Sequence, residues 1–144
     1  MMDDIDSELY TQLVTDCRAW KKLNVPRRVL QTTYLLDEDC SIVSVGRSVR
    51  DPERPYKPHS YTPQQWRTFS EADAILRLDG CLRDYAGKLT AVNIKLDASG
   101  TLVPSFPSRN AYYMLRALEI EKLCWVNSEG NLQVMGRHGS VPLV

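Results

Sequence analysis

The chain has 144 residues, of which 43% are hydrophobic and 25% charged, and eighteen basic side chains balance eighteen acidic ones. That length and composition describe one globular domain, 1–144, able to bury a core without disulfides or a structural metal. A formal net charge of zero recruits neither nucleic acid nor an anionic membrane surface.

The opening Met1-Met2-Asp3-Asp4-Ile5-Asp6 is acidic where a secretory signal is basic, and no stretch reaches the length of a membrane span, so a cytoplasmic protein is expected. From about Asp4 to Lys22, Ile5, Leu9, Leu13, Cys17 and Trp20 recur along one helical stripe. Arg18, Lys21 and Lys22 suit the negative end of the dipole, and Asn24 and Pro26 close the helix. Residues 28–36 then alternate with period two, placing Leu30, Thr32, Tyr34 and Leu36 on one face of a strand. Its partner is predicted over 41–49, where Gly46 marks a bulge or a close approach.

Residues 50–63 carry four prolines, which forbid both a helix and a central strand, and form the one long loop. A second helical region is predicted to begin near Pro63 and restart at Ser70, with Ser70 as cap and Asp73 answering it. Ala72, Ile75, Leu76, Leu82 and Tyr85 form its inward face, and Gly87 ends it in a left-handed conformation. Two more strands follow, over 89–96 and from Thr101 to about Phe106, the latter an edge strand or one that ends early because of Pro104 and Pro107. A third helix starts near Ser108 or Asn110, a last hairpin spans 123–135, and 136–144 is a loose tail.

One hairpin pattern recurs at Leu36-Asp37-Glu38-Asp39-Cys40-Ser41-Ile42, Leu96-Asp97-Ala98-Ser99-Gly100-Thr101-Leu102 and Val126-Asn127-Ser128-Glu129-Gly130-Asn131-Leu132. The chain therefore scans as α-β-β three times. The simplest fold is an α+β domain, an antiparallel sheet of three hairpins with helices packed on one face.

Chemistry leaves few traces. Cys17, Cys40, Cys81 and Cys124 are dispersed, without a C-x-x-C pair or a nearby histidine, so reduced thiols are expected and neither a metal nor a cofactor. Phosphate-loop, dinucleotide-binding, zinc-protease and nucleophile-elbow patterns are missing from the sequence, and no enzyme is expected. The acidic run 37–39 reads as a solvated hairpin tip. The candidate partner-binding residues lie in and beside the long loop: Arg50, Arg54, Tyr56, Lys57, His59, Tyr61 and Trp66. Arginine, tyrosine and tryptophan dominate binding hot spots, and proline stiffening lowers the entropy lost on docking. Trp66 has two readings, a core anchor for the second helix or an interface residue. Only one of Tyr112 and Tyr113 can point inward from the third helix, which makes its exposed side the next candidate surface.

The run Phe69-Ser70-Glu71-Ala72-Asp73-Ala74-Ile75-Leu76-Arg77-Leu78, continuing through Leu82-Arg83-Asp84-Tyr85 to Val92-Asn93-Ile94-Lys95-Leu96-Asp97-Ala98-Ser99-Gly100 and Phe106, resembles the YezG-like immunity proteins of bacterial polymorphic toxin systems. In that family a leucine-rich helix precedes a strand, an Asp-to-Gly turn and a strand ending in an aromatic. Here Pro107 follows that aromatic, and the third helix and last hairpin have no counterpart. The resemblance implies a small cytoplasmic protein that neutralises a cognate toxin by direct binding. The alternatives are a small type III-like secretion chaperone, a small enzyme built on His59 with Asp51 or Glu53, and a nucleic-acid-binding protein. Oligomeric state is not legible.

Overall fold

A computed structural model describes residues 5–50, 69–78, 82–85 and 87–136. In chain order these form α1 (Ser7–Asn24), β1 (Val29–Leu36), β2 (Ile42–Arg50), α2 (Ser70–Leu76), a 3-10 turn (Leu82–Tyr85), β3 (Thr90–Leu96), β4 (Leu102–Val103), α3 (Arg109–Ala117), β5 (Lys122–Val126) and β6 (Leu132–Gly136). Among them no helix is long and apolar enough to cross a membrane.

Helix α1 begins where Asp6 Oδ1 accepts from the Leu9 amide at 2.8 Å, satisfying one of the amides that a helix start leaves without a partner. At its other end the Lys21 ammonium donates to the carbonyls of Pro26 and Ala98, at 2.6 and 3.0 Å, and ties the helix to the turn after β3. Two further contacts clasp turns of the sheet. Tyr10 Oη donates to the Gly130 carbonyl at 3.0 Å, and Arg18 Nε to the Gly100 carbonyl at 3.3 Å.

The sheet order is β2-β1-β3-β5-β6, with β4 beside β3. It is mixed rather than purely antiparallel. β3 and β5 run parallel, pairing Thr90 with Lys122 and Val92 with Cys124, because α3 carries the chain back across the sheet between them. Nor is the sheet three equal hairpins. β1 and β2 pair over eight residues and β5 and β6 over five, but β3 and β4 over two, and Pro104 removes the donor that would extend them.

The three turns, by contrast, share one geometry. Asp37, Asp97 and Asn127 each accept on Oδ1 from the amides two and four residues on, at 2.9–3.0 Å. In each the fourth residue has positive φ: Cys40 at 61°, Gly100 at 89° and Gly130 at 83°. Only the first is filled by a residue with a Cβ.

The expectation that all helices share one face fails, because the central strands are apolar on both sides. Leu30, Tyr34, Val92 and Ile94 pack with Leu13, Val14 and Cys17 of α1 on one face. On the other, Leu35, Ala91, Leu123 and Trp125 pack with Ala74 of α2 and Leu115 of α3. A strand buried on both faces requires two covers, which makes this a three-layer domain.

The second helical region also differs from expectation. Phe69, not Ser70, occupies the cap position, and the helix is interrupted after Leu76, which is 54% exposed. Its placement is set by Gly46. An added Cβ there would lie 2.1 Å from the Ala74 amide nitrogen and 2.2 Å from the Ser70 carbonyl oxygen, so α2 rests backbone to backbone on β2. The Asp73 carboxylate fixes the contact by accepting from the Arg47 amide at 3.0 Å. The bulge lies elsewhere, between Leu35 and Leu36.

Gly46→Ala is expected to displace α2 and lower the unfolding free energy by about 2 kcal/mol or more, measured by urea denaturation. Cys40→Gly is expected to raise it by roughly 1 kcal/mol in the same assay, since left-handed backbone costs a residue with a Cβ about 1–2 kcal/mol.

Candidate binding cleft

Of the residues expected to meet a partner, Arg50 ends β2 and lines a cleft of about 560 Å³. Arg54, Tyr56, Lys57, His59, Tyr61 and Trp66 lie outside the described residues, as do Asp51 and Glu53, the acids paired with His59 in the enzyme alternative. The cleft opens on the sheet face covered by α2 and α3. Gln31, Ser48 and Arg50 contribute to its sheet side with Lys95, while Phe69, Ser70 and Glu71 come from the start of α2 and Phe106 and Ser108 precede α3.

Its floor is a buried polar ring that a period-two reading hides. Glu71 is 1% exposed. Its Oε2 accepts from Asn93 Nδ2 at 2.7 Å and Gln31 Nε2 at 3.1 Å, and its Oε1 lies 3.5 Å from Ser70 Oγ. Thr33 Oγ1 donates to Asn93 Oδ1 and stands 2.7 Å from Ser70 Oγ. Thr33 has one hydroxyl proton and Asn93 Oδ1 takes it, so the Ser70 proton belongs to Thr33 Oγ1. A protonated Glu71 would supply the proton missing from its long contact with Ser70. Burial pushes the Glu71 carboxyl above the ordinary glutamate value, against the pull of the backbone amide and of the hydrogen bonds from Asn93 and Gln31. With its oxygens engaged, Glu71 joins α2 to β1 and β3 and supports the cleft rather than reacting within it.

Beside the ring, Ser105 seals the fork where β5 leaves β3. Its Oγ donates to the Asn93 carbonyl at 2.7 Å and accepts from the Val126 amide at 2.8 Å, and its own amide donates to the Val126 carbonyl at 3.0 Å.

Three cations approach the cleft. The Arg47 guanidinium is committed elsewhere, 4.4 Å above the Trp20 ring and 3.4 Å from Asp16. Arg50 and Lys95 form no ion pair among the described residues. Burial lowers the Lys95 pKa, and the Arg50 charge lowers it further.

Phe106 links the cleft to an aromatic surface. Its ring meets Trp125 edge-on at 4.9 Å and Tyr112 at 5.5 Å, and Tyr112 meets Tyr113 at 5.5 Å. Arg109 lies 6.0 Å over Tyr113 and Arg116 lies 5.8 Å over Tyr112. Phe106 and Tyr113 are 45% and 57% exposed, while Tyr112 is half-buried, so α3 turns one tyrosine inward and one outward.

Cys17, Cys40 and Cys124 are not disulfide-bonded, and no group of three or more His, Cys, Asp or Glu among the described residues could hold a metal ion. No protein-family model, curated protein or solved structure significantly matches the chain.

The ring carries a pH signature. A carboxyl whose folded-state pKa exceeds its unfolded value favours the fold while protonated; that contribution is full below the unfolded value of about 4.5 and is lost as pH rises through the folded-state value. Glu71→Gln should therefore flatten the fall in unfolding free energy over that window. Urea titrations of both proteins between about pH 4 and pH 8 measure this, and parallel profiles would show an ionised Glu71 in the fold.

Proposed function

We propose that this chain is a protein-binding module of the immunity type, which neutralises a cognate toxin in the cytoplasm by direct contact. The observation that carries this reading is the surface formed by Phe106, Tyr112 and Tyr113 with Arg109 and Arg116. Aromatic and arginine side chains give large contact area for few frozen rotors, and they dominate the energetics of protein interfaces. Phe106 is backed by Trp125 and Tyr112, so little order remains to be imposed on it when a partner docks. The likeness to YezG-like immunity proteins supplies the biological setting, and it covers the segment that builds α2, β3 and Phe106.

Co-expression with the product of the neighbouring gene tests the reading: protection of growth and co-purification of the pair are expected. The double variant Arg109→Ala with Tyr113→Ala should weaken that pair about tenfold or more with little change in melting temperature, because both side chains are exposed. A toxic neighbour that is neither bound nor blocked would overturn the assignment.

A further inference from the structure

We infer that an acidic side chain of the bound protein partner enters the cleft and is held between Arg50 and Lys95. The inference rests on the protein-binding reading and names the chemistry of the partner at that surface.

The register of the sheet brings the two cations to the cleft. Lys95 pairs with Gln31, and Gln31 with Ser48, so these three stand in one row across β3, β1 and β2. Arg50 lies one pleat beyond Ser48 and projects from the same face. Lys95 and Arg50 thus rise two strand spacings apart, roughly 10 Å across the sheet, with the Gln31 amide between them. Both are long enough to converge on one anion.

Nothing among the described lining residues neutralises them. Glu71 is the only carboxyl there, and it lies beneath the surface with its hydrogen bonds directed into the ring. Folding therefore places two like charges in a partly desolvated cleft, where their repulsion is screened less than in open water. An anion seated between them relieves that repulsion and forms charge-assisted hydrogen bonds to both.

The lining selects the kind of anion. Phe69 and Phe106 offer apolar wall for an aliphatic stem, and Ser48 adds a hydroxyl beside the cations. That mixture suits a carboxylate carried on a short hydrocarbon arm. The cleft volume falls within the range of built ligand sites, and through Phe106 the surface continues onto the tyrosines of α3, so the ligand extends beyond the cleft. A nucleic acid is a poorer fit, because the chain's balanced charge gives it no long-range attraction for a phosphate backbone.

The test uses the full chain and a defined probe, the blocked peptide acetyl-(Glu)4-amide, with acetyl-(Gln)4-amide as control. The Lys95 side-chain NMR signal should move saturably with the acidic peptide and not with the control. Arg50→Gln and Lys95→Met should each weaken binding about tenfold while melting temperatures confirm folding. An unmoved Lys95 signal, or equal binding of the neutral peptide, would overturn the inference. So would tighter binding of inorganic phosphate or a short single-stranded oligonucleotide at the same ionic strength. Toxin protection that survives both substitutions would reject the acidic contact alone. Peptide binding without any protection would reject the immunity reading alone.

Discussion

A carboxyl group almost without access to water fastens the second helix to the sheet, and the layout of the candidate site follows from it. Glu71 stands one residue into α2, where Gly46 lets the helix settle directly on β2. Removing a Cβ brings the backbones together; the polar ring then fixes which face of the helix is down. Because Thr33, Asn93 and Gln31 belong to neighbouring strands, the ring also holds the register from which Arg50 and Lys95 reach the surface. An apolar contact of similar area would hold the layers together without specifying their angle, whereas directional hydrogen bonds specify it.

Much of this domain is legible in its residues. The stripe Leu9, Leu13 and Cys17 defines α1, and the Asx-led turns locate three chain reversals. The sheet topology is less so. Period two in β1 exposes one apolar face to the reader, yet Leu35 and Thr33 on the other face are as buried as Leu30 and Tyr34. Sequence alone does not say that a second layer exists to cover them. The parallel pairing of β3 and β5 is a long-range choice, made by the path of α3 rather than by local propensity.

The candidate site divides in the same way. Arg50 is recognisable as a cation beside a proline-rich loop, but Lys95 looks like the solvent-facing residue of an alternating strand. Asn93 looks the same and is fully buried. A signal was present: Gln31, Thr33, Asn93 and Lys95 are polar residues on the second face of strands that otherwise carry Leu35 and Ala91 there. Polar residues clustered on a face that begins apolar mark either an exposed edge or a buried network, and their spatial neighbours decide which. Tyr112 and Tyr113 were separable in principle by their angular difference on the helix, though not in direction.

The parallel step between β3 and β5 has one more effect. Strands running the same way end at the same side of the sheet, so the turns at Gly100 and Gly130 lie within reach of a single helix, which meets them through Arg18 and Tyr10. The Tyr10 contact joins positions 120 residues apart. Helix α1, synthesised before the strands it covers, therefore gains its full set of native contacts only after β5 and β6 have been made and docked. Completing this layer requires a closure between distant parts of the chain, and a chain that stops before β5 and β6 lacks the Tyr10 anchor.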